Sequence, residues 1–220
     1  MGDLPFTTTE FFNVMRSYNL TIWPAQILLN LLAFTIIVYV FTTNNYSGKI
    51  ISLILSFLWI WTGGIYHLIF FTEINPAAFG FGIIFLIQGL LFLIWGVFRD
   101  ELIFSYKGKL IELLGGLFIF YSLVVYPLLS SAFGHHYPDN PTFGLPCPGT
   151  IFTFGVLLFA KTKIPWYLIL IPLIWSIIGF SAAINFGVYE DAGLLFAGVS
   201  GFIAILTNNK SLKAVIKISS

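Results

Sequence analysis

The sequence predicts an all-α fold, a single integral membrane bundle of seven transmembrane helices with the N-terminus outside and the C-terminus inside. Three observations lead to this prediction. Of the 220 residues, 58% are apolar and only 9% are charged, whereas a soluble domain carries about 25% charged residues. Apolar runs recur along the whole chain, and a membrane helix needs about 20 such residues. Lys and Arg gather in alternate connecting segments, as they do in cytoplasmic loops.

The apolar runs divide the single domain 1–220 into an N-terminal segment, seven spans and a tail. Two of the runs are short, so periodicity alone allows either six or seven spans. The apolar core of the fifth run reaches only about 15 Å and must recruit the residues before it to cross. The predicted elements are an interfacial segment over 1–21, spans over about 22–41, 50–71, 77–98, 110–129, 143–160, 164–184 and 190–206, and a basic cytoplasmic tail over 207–220.

The distribution of cations favours seven spans. Without span 143–160, Lys161 and Lys163 would share the outer face with Asp139. With seven spans, only Arg16 among the ten Lys and Arg residues lies outside, which is the asymmetry expected of a membrane protein. The inner cations are Lys49, Arg99, Lys107, Lys109, Lys161, Lys163, Lys210, Lys213 and Lys217.

The N-terminal segment is polar and aromatic and lacks the basic and apolar pattern of a signal peptide. We expect a short helix over Thr8–Ser17 on the outer surface, capped by Thr7, Thr8 or Thr9. The net charge of +1 gives no attraction to nucleic acid. The partners that the composition indicates are the lipid bilayer and a small solute or ion, with the oligomeric state left open.

One Pro-rich stretch, "GHHYPDNPTFGLPCPGT" (134–150), precedes the fifth span. Pro146 and Pro148 remove two backbone donors, and helices usually begin at such prolines. We therefore expect irregular backbone to enter the membrane and to become helical near Gly149. Irregular backbone at membrane depth must contact protein or line a wet cavity. Short, Pro-interrupted spans also mark binding sites in transporters.

The predicted topology brings the titratable side chains to one outward-opening polar pocket. His67 lies about one turn from the outer end of its span, and an ionisable residue within a span is a functional candidate. Glu190 and Asp191 precede the last span, where they either cap the helix or attract a cation. The predicted pocket residues are His67, Glu73, His135, His136, Asp139, Cys147, Asn185, Tyr189, Glu190 and Asp191.

Several of these residues are ligand types for zinc or copper. Their spacing matches neither H-x-x-x-H nor C-x-x-C, so a metal site, a proton or solute site and a solvated loop all stay open. The single cysteine excludes an intrachain disulfide. The candidate metal ligands are His67, His135, His136, Asp139 and Cys147.

Three stretches carry a resemblance to a known family. They are "LPFTTTEFFNVMRSYNLTIWPAQ" (4–26), "YHLIFFTEINPAAFGFG" (66–82) and "YPDNPTFGLPCPGTIFTFG" (137–155). These motifs resemble a bacterial family of small multi-pass membrane proteins that is classed as a domain of unknown function. The resemblance covers nearly the whole chain and implies the bacterial inner membrane. It assigns no catalytic role to any residue.

Three functional hypotheses follow. The first is a permease-like, solute-binding membrane protein with an outward-facing polar pocket. The second is a membrane-embedded metal-dependent hydrolase. The chain is similar in span count to the seven-span hydrolases of the alkaline ceramidase type, but Gly63 stands where those enzymes have a serine before the first histidine. The third is a non-catalytic partner subunit. The sequence contains no G-x-S-x-G, H-E-x-x-H or Walker motif, so enzymatic activity stays open.

Overall fold

The computed structural model describes the backbone of residues 5–42 and 44–219, with side chains as far as residue 212. Within these residues the regular structure is helical, with two isolated bridges and no strand. The predicted all-α class is therefore confirmed. The side chains of Lys213 and Lys217, which the charge argument placed on the inner side of the membrane, lie beyond the described residues.

Three of the helices continue through π-helical segments. These segments are Thr62–Phe70 after α3, Leu93–Phe98 after α4, and Tyr121–Val125 between α5 and α6. The helices are α1 Thr8–Thr21, α2 Ala25–Phe41, α3 Ser47–Trp61, α4 Ala78–Phe92, α5 Leu110–Phe120, α6 Tyr126–Ala132, α7 Pro146–Leu157, α8 Trp166–Phe186 and α9 Ala192–Ser219.

Among the described residues, five helical segments are long and apolar enough to cross a membrane. A sixth is reached if α1 and α2, which meet at an angle of 86°, count as one span. The predicted span 143–160 is the 12-residue α7, whose length of about 18 Å is less than the thickness of the hydrocarbon core. The long segments are Ser47–Glu73, Ala78–Phe98, Leu110–Ala132, Trp166–Phe186 and Tyr189–Leu212. The seven-span topology stays a prediction.

The outward faces of these helices carry large apolar side chains. Phe34, Ile83, Leu117, Ile177 and Phe196 belong to five different helices, and all of them are exposed. A soluble monomer rarely exposes apolar surface over so many elements. Lipid is the solvent that suits such a surface.

Helix α1 packs across one end of the bundle. Its cap is a reciprocal pair, in which the Glu10 backbone N–H donates to the Thr7 hydroxyl at 3.2 Å and the Thr7 backbone N–H donates to the Glu10 carboxylate at 2.7 Å. The apolar face of the helix, which includes Phe11 and Met15, is buried. The predicted N-terminal helix and its threonine cap are confirmed, and the helix extends to Thr21.

Helix α7 lies at the centre of the bundle. Every side chain from Thr150 to Leu157 is buried, and α7 packs against α3, α5, α8 and α9. The helix begins at Pro146 and not near Gly149, because a proline at the first helical position needs no N–H partner. The short central helix is thus surrounded by protein along its length.

The opposite end of the bundle from α1 is held by polar contacts. Lys49, at the start of α3, pairs with Asp100 at 3.1 Å. Lys161, which follows α7, pairs with the buried Glu112 at the start of α5. The Asn209 amide bonds to the backbone before α8 at 2.8 and 3.0 Å. These contacts gather cations of the predicted inner segments at one end.

Candidate functional site

A cavity of about 330 Å³ lies beneath α1. It is bounded by α1, the π-helical segment after α3, the entrance to α7, helix α8 and the turn before α9. Cavities of this size hold small molecules. Its aromatic lining consists of Phe6, Phe11, Tyr66, Phe71, Phe81, Tyr126, Trp175 and Phe186, and its polar lining of Asn75, Cys147, Ser181 and Asp191.

Polar contacts with the Pro-rich loop hold α1 over the cavity. The Arg16 guanidinium donates to both carboxylate oxygens of Asp139 at 2.6 and 2.8 Å. This hydrogen bonding lowers the pKa of the Asp139 carboxyl. The Tyr18 hydroxyl donates to the Gly144 carbonyl at 2.9 Å, and the Asn19 amide donates to two loop carbonyls at 2.7 and 2.8 Å. The loop therefore acts as the anchor of α1.

Asp191 is the charged group of the cavity lining, and it is only 1% exposed. The Tyr126 hydroxyl donates to its Oδ1 at 2.6 Å. The Cys147 thiol lies beside both the Asp191 carboxylate and the Trp175 indole. The buried indole N–H of Trp175 has no oxygen or nitrogen acceptor among the described residues, so the Cys147 sulfur is the polar atom beside it. One largely apolar space thus faces a carboxyl group, a thiol and an indole N–H.

The neighbouring Glu190 is buried to the same degree. Its side chain is 1% exposed, and neither carboxylate oxygen has a hydrogen-bond partner within the described part of the chain. The Tyr121 hydroxyl donates to the Glu190 backbone carbonyl at 2.8 Å. The side-chain partner of Asp191 is the Tyr126 hydroxyl and not a backbone amide. The described contacts therefore give neither carboxylate the helix-capping bond that the sequence allowed as one interpretation.

His67 is completely buried in a cluster of aromatic rings. Its ring centroid lies 4.6 Å from that of Phe85, 5.0 Å from that of Trp175 and 5.9 Å from that of Phe81. Neither ring nitrogen has a hydrogen-bond partner among the described residues. Because Trp175 and Phe81 also line the cavity, His67 lies directly behind its wall.

The two loop histidines and Asp139 lie apart from the cavity. His135 stacks against Phe12 of α1 with ring centroids 4.4 Å apart. Nδ1 of His136 lies 3.0 Å from the Ser131 hydroxyl. Asp139 is occupied by its arginine partner. These side chains contribute to the anchoring loop.

The remaining predicted pocket residues lie at the rim of the same end. Glu73 is exposed. The Asn185 amide donates to the Ser181 carbonyl within its own helix at 2.8 Å. The Tyr189 ring packs edge to face against Phe133 with centroids 5.4 Å apart. Of the ten predicted residues, Cys147 and Asp191 line the cavity.

The candidate metal ligands divide among three surroundings: the ring cluster around His67, the cavity with Cys147, and the anchoring loop. Over residues 5–42 and 44–219, no group of three or more His, Cys, Asp or Glu side chains is placed to share a metal ion. A zinc or copper site stays a prediction.

Sequence reasoning missed Tyr126, Trp175 and the aromatic side chains of α1 as parts of a site. One local signal could have indicated Trp175. Gly179 follows it by one helical turn, and a Cβ at Gly179 would lie 3.2 Å from the indole nitrogen and 3.3 Å from the Cys147 sulfur. A glycine one turn after a tryptophan therefore leaves room for the thiol against the indole.

The fold and the cavity define the class of the protein: an all-α chain, with helices long and apolar enough to cross a membrane, that encloses a pocket at one end. The chain belongs to a family of unknown function, DUF6064, whose model matches residues 8–215. The expected membership of a family of unknown function is thereby confirmed. No curated protein and no solved structure matches the chain.

Proposed function

We propose that the protein is a permease-like membrane protein that binds a small solute in the cavity beneath α1. The observation that carries the proposal is a buried carboxylate, Asp191, in an aromatic cavity of about 330 Å³. A carboxylate in an apolar setting costs folding free energy unless a partner compensates it. A bound solute is the partner that such a cavity admits.

The proposed topology has seven spans, with the N-terminus outside and the C-terminus inside the bacterial inner membrane. The burial of α7 supports its assignment as a short span, because protein and not lipid contacts the irregular backbone at its entrance. The gathering of Lys49 and Lys161 at the end opposite α1 supports the orientation. The cavity would then face outward, under α1.

Cys147 tests this proposal because it is the only cysteine in the chain. In intact cells, we expect an impermeant methanethiosulfonate carrying a trimethylammonium group to modify Cys147 slowly. The Arg16→Ala variant, which releases the anchor of α1, should be modified faster, and Cys147→Ser should not react. Modification only in inverted vesicles would contradict the outward-facing cavity.

Transport is tested in proteoliposomes that contain the purified full chain. We expect uptake of small labelled solutes to fall when Cys147 carries a bulky thiol adduct, because the adduct occupies the cavity. Uptake by the Cys147→Ser variant should not respond to the reagent, because that variant has no thiol. Uptake by the wild-type protein that is unchanged by the adduct would place the solute path elsewhere.

The other two hypotheses stay predictions with separate measurements. A metal-dependent hydrolase requires about one zinc or copper per purified chain, lost in a His135→Ala/His136→Ala variant. A partner subunit requires a second protein that co-purifies and is released by substitutions in the Pro-rich loop. Neither measurement depends on solute binding in the cavity.

A further inference from the structure

We propose that the solute of this cavity is an organic cation, a protonated or quaternary amine whose positive nitrogen lies against Asp191 and whose apolar part lies among the aromatic rings. The inference rests on the proposed function and narrows it to one chemical class. Three features of the described residues support it: buried acidic side chains without a cation beside them, aromatic walls and the indole donor of Trp175.

The acidic side chains at the cavity have no protein cation beside them among the described residues. Asp191 and its neighbour Glu190 are both buried, and neither belongs to any ion pair among the described residues. The donor to Asp191 is the neutral hydroxyl of Tyr126. Buried carboxylates are normally paired with a cation. A cationic ligand supplies the charge that the protein itself does not.

The walls are of the kind that recognise cations. Ring faces carry negative electrostatic potential and attract ammonium groups, and tryptophan does so most strongly. Trp175 lines the cavity together with aromatic side chains from α1, from the π-helical segment that follows α3, and from α4. The rings also pack on one another, as Phe11 and Phe186 do with centroids 4.5 Å apart. This mutual packing holds the walls in place before a ligand arrives.

The indole N–H of Trp175 narrows the ligand class further. Trp175 is 4% exposed and lines the cavity, and the polar atom beside its indole nitrogen is the Cys147 sulfur, a weak acceptor, with no oxygen or nitrogen acceptor among the described residues. A buried donor without a strong acceptor favours a ligand that brings one. An amine that also carries a hydroxyl or carbonyl oxygen satisfies both Asp191 and Trp175.

The binding test compares two probes of equal shape. Choline carries a quaternary nitrogen and a hydroxyl, and 3,3-dimethylbutan-1-ol replaces that nitrogen with carbon. We expect the full chain in lipid nanodiscs to bind choline more tightly than the alcohol by about tenfold or more. Asp191→Asn, which keeps an acceptor for Tyr126, should abolish this preference. Glu73→Gln, which removes an exposed carboxylate outside the cavity at the same end, should retain it.

A second measurement needs no substitution at Asp191 and so survives a folding defect in that variant. Negative potential in a cleft raises the local concentration of cations by about tenfold or more. Cys147 should therefore react faster with a trimethylammonium methanethiosulfonate than with the sulfonate analogue of similar size, after correction for their rates with a free thiol. Equal corrected rates would overturn the proposal.

The outcomes separate this inference from the proposed function. Equal binding of choline and the alcohol would leave a solute site and refute the cation class. Choline binding without uptake into proteoliposomes would support the cation class and refute transport. Retention of the preference for choline in Asp191→Asn would refute the role of that carboxylate. Binding of neither probe would refute the cation site.

Discussion

The contact between α5 and α7 allows a stability prediction with an internal control. A Cβ at Gly115 would lie 2.7 Å from the Gly155 carbonyl oxygen, whereas a Cβ at the adjacent Gly116 would meet nothing within 4 Å. Alanine at either position gains up to about 1 kcal/mol in helix propensity. Only Gly115→Ala adds an overpacking cost of about 1–3 kcal/mol, because backbone cannot move aside as a side chain can.

The free energies of unfolding of the two variants should therefore differ by about 1–3 kcal/mol, because the propensity gain cancels between neighbouring positions of one helix. We expect Gly116→Ala to be as stable as the wild-type protein or slightly more stable, and Gly115→Ala to be the less stable variant. The assay is SDS-induced unfolding in mixed micelles, followed by tryptophan fluorescence. Equal unfolding of the two variants would mean that α7 does not pack against α5 as described.

Two further predictions concern the ends of the bundle. The hydrogen bond with Arg16 lowers the pKa of Asp139 below the ordinary 3.8. The pair therefore stabilises the fold at pH values above 3.8, and this contribution is lost as the pH falls through the lowered pKa. At neutral pH the wild-type protein should be slightly more stable to unfolding than Arg16→Gln. A stability difference that persists in strong acid would contradict the pairing. At the other end, Lys161→Met leaves the buried Glu112 without its cation and should lower the free energy of unfolding by about 1–3 kcal/mol. The loss is smaller than for a buried charge without any partner, because two backbone N–H groups still donate to the Glu112 carboxylate. Glu112→Gln should lower the free energy of unfolding by less than Lys161→Met does. A larger loss for Glu112→Gln in chemical unfolding would contradict the assigned pair.

Local patterns predicted the features of this fold that depend on neighbours in sequence. The capping box at α1 needs only Thr7 and Glu10, three residues apart. The start of α7 at a proline depends on the missing N–H of that residue, and the structure moved it only from Gly149 to Pro146. The five long apolar helices follow from composition, since about 20 apolar residues suffice to cross a membrane.

The candidate site could be predicted only in part. Cys147 and Asp191 were recognised because titratable groups are rare in so apolar a chain. The pairing of Arg16 with Asp139 was not, because it joins residues that lie 123 positions apart. The aromatic walls were also missed, because a phenylalanine facing lipid and one facing a cavity look alike in the sequence.

Composition and periodicities of a few residues are enough to predict that the chain is helical and apolar enough for lipid. They also predict that its titratable groups are concentrated in a few loops. Packing between distant parts of the chain places α7 at the centre and α1 over a cavity, and it puts Asp191 in the lining of that cavity while His135 and His136 lie outside it. The physical reason is that burial depends on which helices are neighbours, and that choice is made by packing between residues far apart in the chain.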